Sequence, residues 1–180
     1  MPGTEQKILD AALKVFAEKG YKGATTKVIA GESGYSEFTL FRKFKSKQNL
    51  FELVLTMGAE HLKNEFLTIL VDKEFENNRE FLEYLVINLD QMAQGNFEFL
   101  NLSLNEGQIL EPVMQEFIEL LSQYIRKHLP GQKIDYECFA LTILSFIYII
   151  NLDHHLGRSY CYDHETGPQR FIDNLNLSLR

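Results

Sequence analysis

Eleven residues in one short stretch, Thr25, Thr26, Lys27, Ser36, Glu37, Phe38, Thr39, Phe41, Arg42, Lys43 and Lys47, bring together hydroxyls, cations and aromatic rings. Such a set can meet phosphates, base edges and thymine methyls, the groups that double-stranded DNA presents in its major groove. To act together, the side chains must project from one face of a helix narrow enough to enter that groove. At about 100° per residue, Leu40, Phe41 and Phe44 share one sector and predict a buried stripe, which turns Phe38, Thr39, Arg42 and Lys43 outward. The Phe38 ring either contacts a thymine methyl or folds back onto the domain. Lys47 falls in the first turn of a following helix, where a cation opposes the helix dipole and makes sense if a phosphate is its partner.

The elements needed to aim that helix are also written locally. Thr25 is placed to cap a helix carrying Val28, Ile29 and Ala30, and Gly34 suits the left-handed backbone that ends it. Ser36 then caps the second helix, so the two are joined by a glycine turn. Upstream, Ile8, Leu9, Ala12, Val15 and Phe16 recur at helical spacing over Glu5 to Lys19, Gly20 is a stop signal, and Tyr21 supplies a bulky anchor. Three short helices, the last two forming a helix-turn-helix, are therefore predicted.

The pattern Ile8-Leu9, Ala11-Ala12, Phe16, Gly20-Tyr21, Thr25, Ile29-Ala30, Gly34, Ser36, Leu40-Phe41, Phe44, Lys47, Leu50 resembles the tetracycline-repressor (TetR) family of transcription regulators. The family often has glycine or alanine at the place of Phe38, tyrosine at that of Phe41 and histidine at that of Lys43. Phe41 lacks the hydroxyl that a tyrosine would offer a phosphate, so no such bond carries over, and Phe38 is expected to alter base preference. The resemblance implies a homodimer on a palindromic operator, its last two long helices pairing with those of a twin subunit. It also implies a repressor released by a small effector bound in the helical body.

The net charge of −7 argues against nucleic acid until the chain is divided. Residues 1–50 hold nine Lys/Arg and five Asp/Glu, a net +4, whereas residues 51–180 hold nine and twenty, a net −11. A basic head on an acidic body is a nucleic-acid signal, since only the head is drawn to DNA. Four prolines leave long stretches free to be helical. Two cysteines, Cys138 and Cys161, suit a reducing cytoplasm. The longest apolar run, Phe139 to Ile150, includes Thr142 and Ser145 and is shorter than the roughly 20 residues that cross a bilayer, so no membrane segment is expected.

Beyond Lys47, helices are predicted near 47–71, 77–94, 110–129, 135–156 and 167–179. The first carries Leu50, Val54, Met57, His61, Leu62, Phe66, Ile69 and Leu70 on its apolar side. Phe97 to Leu104 alternates like a strand, yet a lone strand has no partner, and a short helix is the better reading. The middle of the 135–156 helix is apolar on every side and needs cover that a second subunit can supply. The expected fold is thus all-α, with a helix-turn-helix domain over 1–47 and an effector-binding and dimerisation bundle over 48–180.

Among the 22 Phe and Tyr side chains an apolar pocket for an apolar or aromatic effector can form, with His61, Tyr84, Asn88, Asn101, Tyr148 and His154 as its polar contacts. For each of these, ordinary core packing is the competing reading. Asp153, His154, His155, Cys161, Asp163 and His164 are metal-ligating types, but adjacent histidines face about 100° apart on a helix, and no metal or other cofactor is expected. Glu98, Glu106 and Glu111 lack a nucleophile or phosphate loop nearby, so no catalytic set is expected. Two other readings are a head governed by a protein partner and a metal-dependent helical enzyme using 153–164.

Overall fold

The computed structural model describes residues 3–106, 110–158 and 166–179, and among these the chain is helical with no strand. The order is α1 (Thr4–Gly23), α2 (Thr26–Ser33), α3 (Glu37–Phe44), α4 (Lys47–Ile69), α5 (Asn78–Gly95), α6 (Phe97–Glu106), α7 (Leu110–His128), α8 (Tyr136–His155) and α9 (Gly167–Ser178). Residues 97–106 form a helix, because their alternating pattern meets no second strand with which to pair. Two compact units divide the chain, Met1–His61 with Glu98–Glu111, and Leu62–Phe97 with Pro112–Arg180.

In the first unit the apolar residues of α1 lie at helical spacing and are buried: Ile8, Leu9, Ala12, Val15 and Phe16. Gly20, at φ 66° and ψ 171°, breaks the helix just before Tyr21. Leu50 and Val54 of α4 are buried, whereas Met57 and His61, expected on the same apolar side, are not. Their sector of α4 is left open because the helix changes the face it buries along its length. At Gly58 the backbone of α4 meets the buried ring of Phe99 so closely that a Cβ would overlap the ring carbons.

In the second unit α5 packs against α8 and α9. Phe66 of α4 stacks on Phe117 of α7 at 4.0 Å, and Phe146 of α8 stacks on Phe171 of α9 at 3.9 Å. A buried polar contact crosses this core: Asn151 Nδ2 of α8 donates to Asp90 Oδ1 of α5 at 2.7 Å, while the exposed Gln94 of α5 itself donates its Nε2 to Asp90 Oδ2 at 2.8 Å. The α8 helix buries one face, with Phe139, Ala140, Ile143, Leu144, Ile147 and Ile150. The other face keeps Cys138, Leu141, Thr142, Ser145 and Ile149 exposed. By length and hydropathy α8 is apolar enough to cross a bilayer, contrary to the reading from its apolar run alone; its buried face accounts for that character. His128, at the end of α7, lies among the rings of Phe75, Phe81 and Tyr124 at 4.5–5.2 Å.

Two outcomes are expected. Gly58→Ala gains helix propensity of about 1 kcal/mol but must displace a packed ring, so urea denaturation is expected to show a net loss of about 1–3 kcal/mol. A gain in stability would show that Phe99 moves aside freely. Burial holds the His128 imidazole below the usual histidine pKa, with Lys127 acting the same way and Asp72 opposing. The unfolded chain therefore takes up this proton first. The contribution to stability is present above about pH 6.5 and is lost as the pH falls below it. His128→Phe should flatten the pH dependence of the denaturation midpoint in that range, and an unchanged profile would place its origin elsewhere.

Candidate nucleic-acid interface

Local hydrogen bonds fix each end of the helix pair. Thr25 Oγ1 accepts from the Val28 N–H at 3.3 Å, capping α2, and Gly34 closes it at φ 75°, with the Tyr35 N–H reaching back to the Ala30 carbonyl at 3.1 Å. Ser36 Oγ accepts from the Thr39 N–H at 3.2 Å and so starts α3. Thr26 Oγ1 donates to Glu37 Oε2 at 3.0 Å, tying the first turn of α2 to the first turn of α3. The angle between the two helices is thus set by side chains as well as by the turn.

Leu40 and Phe44 are buried beneath α3, and this forces the opposite side of the helix outward. Phe38 is 74% exposed, Arg42 and Lys43 are exposed and Thr39 is half-buried. Phe41, expected in the buried stripe, is 43% exposed. At about 100° per residue the stripe centres between Leu40 and Phe44, leaving Phe41 on its flank. The ammonium of Lys43 is 3.4 Å from Glu5 Oε2, a surface pair of small energetic weight. Thr25 and Lys27 are exposed at the start of α2, with Thr26 half-buried.

Lys47 departs most from its expected use. Its Nζ donates to the carbonyls of Tyr21 at 2.7 Å and Ala24 at 3.0 Å, and lies 4.2 Å from the centre of the Tyr21 ring. The N–H of the same Tyr21 donates to Glu106 Oε1 of α6 at 2.8 Å. Its ring meets Phe51 at 4.8 Å, and Phe51 meets Phe16 edge-on at 4.9 Å. Lys47 therefore braces the α1–α2 corner. Those carbonyls fall at the end of α1, where an ammonium is the fitting donor.

Lys45 is a candidate absent from the sequence reading of the site. It sits at φ 67° and ψ −43°, the centre of a γ-turn closed by the Ser46 N–H on the Phe44 carbonyl at 2.8 Å. A positive-φ γ-turn is strained for any residue with a side chain. A glycine would sit there more easily, yet the chain carries an exposed cation beside Arg42 and Lys43. Backbone angles carry this signal and residue type does not.

The residues proposed to contact an effector are divided between the two units. His61 is exposed and Asn101 half-buried in the first unit, where Asn105 Nδ2 donates to Asn101 Oδ1 at 3.3 Å. In the second unit Tyr84 donates to the Ile69 carbonyl at 3.0 Å, and Asn88 Nδ2 to the Tyr84 carbonyl at 2.6 Å. Tyr148 is half-buried with its pKa raised by burial, and His154 is exposed. A cleft of about 620 Å³ in the first unit is lined by Tyr21, Gln48, Phe51, Glu52, Leu55, Thr56 and Glu106, and none of the six is on its wall. Asp153 is half-buried and His155 exposed, and Cys161, Asp163 and His164 lie outside the described residues. Among the described residues no group of three His, Cys, Asp or Glu is placed to hold a metal ion.

The sequence profile of the bacterial regulatory proteins of the tetR family matches residues 8–54, the segment holding the capped pair. The HTH-type transcriptional regulator YvkB of Bacillus subtilis (strain 168) is 32% identical over 119 residues, 66% of this chain and 60% of that protein. The HTH-type transcriptional repressor AcnR of Corynebacterium diphtheriae is 44% identical over 119 residues, 63% of each chain. The chain thus spans less than two thirds of the length of either relative. The crystal structure of AibR in complex with isovaleryl coenzyme A and operator DNA aligns over 94% of this chain and 96% of that one. Its TM-score is 0.71 at 14% identity, a likeness of fold.

Two substitutions separate brace from strain. Lys47→Met removes the donor from two carbonyls and is expected to lower stability by about 1–3 kcal/mol. Lys45→Gly relieves the γ-turn and is expected to raise it by about 1 kcal/mol. Thermal denaturation reads both, and equal, small effects would contradict the assigned roles.

Proposed function

We propose, on the premise that the chain belongs to the tetR family of bacterial regulatory proteins through its residues 8–54, that it is a DNA-binding transcriptional regulator, most simply a repressor. The observation that carries this reading is the outward face of α3, with Phe38, Thr39, Arg42 and Lys43 held in place by the buried Leu40 and Phe44. Residues 1–47 act as the reading head and 48–180 as the part that binds effector and dimerises. In the head, Arg42, Lys43 and Lys45 meet phosphates or base edges, Thr25, Thr26, Lys27 and Ser36 lie along the backbone path, and Glu37 orients Thr26. Lys47 contributes by bracing the corner.

The chain acts as a homodimer in this reading. The open face of α8 has Leu141 and Ile149 exposed at 46% and 53%, and Leu177 of α9 is 56% exposed, apolar surface of the kind that a twin subunit covers. Twofold symmetry then presents two copies of α3 to a palindrome whose half-sites lie about 34–36 Å apart for each helical turn. An apolar or aromatic effector regulates the complex by binding the DNA-free state more tightly, a coupling of about 1–3 kcal/mol. The AibR complex, which holds isovaleryl coenzyme A and operator DNA on a similar fold, supports both partners on one scaffold. A regulator of this kind works in the cytoplasm and has no catalytic apparatus.

Selection of bound duplexes from a random pool should yield a palindrome. Arg42→Ala/Lys43→Ala is expected to weaken binding to it at least about tenfold and to lower the salt slope of log K by about 0.9 for each lost phosphate contact. Unchanged affinity in that double variant would remove α3 as the reading element.

A further inference from the structure

The reading face has an odd property for a surface that meets a polyanion: a side chain left 74% exposed in its first turn, that of Phe38, carries no polar atom. Phe38 is the second residue of α3, and residues near the start of a groove-entering helix are the ones that reach base edges. The polar neighbours in that turn are already engaged. Glu37 accepts from Thr26 Oγ1 at 3.0 Å, and the Ser36 and Thr39 hydroxyls lie 3.1 Å apart while Ser36 Oγ also takes the Thr39 N–H. The cations Arg42, Lys43 and Lys45 come a turn or more later along the chain.

Of the two fates open to Phe38 from sequence, folding back is excluded by its exposure, since the stripe beneath α3 is filled by Leu40 and Phe44. A benzyl group neither donates nor accepts a hydrogen bond. In the major groove the one apolar group on any base edge is the C5 methyl of thymine. A ring left in water gains free energy when an apolar group covers it, and the nearby cations favour a nucleic acid as the source of that cover.

We propose that Phe38 is a specificity-determining residue that reads the C5 methyl group of thymine in each half-site. This inference rests on the DNA-binding reading above. It adds that recognition at this position is apolar, so that 5-methylcytosine, which displays a methyl at the same place in the groove, serves in thymine's stead better than cytosine does.

The test uses the full-length protein and the duplex selected from a random pool, with deoxyuridine replacing thymine one position at a time. Uracil pairs as thymine does and differs only by the methyl. At one symmetry-related position the wild-type protein is expected to bind about fourfold more weakly for each methyl removed, the value of one buried methyl group. Phe38→Ala should bind the thymine and deoxyuridine forms of that position equally. In a duplex carrying cytosine there, 5-methylation should strengthen binding by the wild type and leave Phe38→Ala indifferent. A palindrome whose deoxyuridine forms all bind the wild type as tightly as thymine overturns the assignment of Phe38 and leaves the regulator reading standing. Full sensitivity to the methyl in Phe38→Ala overturns it in the same way. Failure to enrich any duplex overturns both.

Discussion

The backbone of Tyr21 is held from both sides, its N–H by the carboxylate of Glu106 and its carbonyl by the ammonium of Lys47. Everything the first unit does depends on that clamp. Gly20 has just broken α1, so without fixed partners the backbone leading into α2 would be free to choose its direction. With them, the start of α2 is placed, Thr25 caps it, and the Thr26–Glu37 bond carries the placement on to α3. The aromatic trio of Phe16, Tyr21 and Phe51 fills the space behind the clamp, so apolar packing and the charge-assisted bonds favour the same arrangement.

How much of this is legible in the sequence follows the range of the interaction. Caps and turns are short-range chemistry, and Thr25, Gly34 and Ser36 take the roles their types foretell. Helix periodicity is equally local, and it locates the helical stretches in the described residues except α6, whose Phe97–Leu104 segment alternates like a strand and reads as a helix only for want of a partner. Glu106 reads as an idle carboxylate in the sequence because its partner lies 85 residues away and no spacing rule connects them. Lys47 is legible as a cation near a helix start, but its partners are carbonyls created by the end of another helix, visible once the chain is folded. Phe41 shows a finer limit: a sector of about 100° describes a helix face well enough to choose its buried side, but not to decide how its edge residue fares.

The second unit is legible as helices and hardly at all as a site. Its candidate polar residues stand out by type alone, and two of them bond backbone carbonyls within the unit, Asn88 that of Tyr84 on its own helix and Tyr84 that of Ile69 on α4. Side chains satisfied in this way hold the bundle together. The apolar character of α8 is ambiguous for a related reason. One face is consumed by the core while the other stays open, and composition averaged around the helix cannot separate the two.

The buried carboxylate of Asp90 has a kinetic implication. Asn151 of α8 donates to it across the core, whereas Gln94 donates from α5 itself, so sliding α5 along α8 by one turn would break the bond between the helices and leave the buried Asn151 amide to find another acceptor. Axial slippage between these helices therefore costs that bond, whereas rotation or tilt about the Asp90–Asn151 contact does not break it.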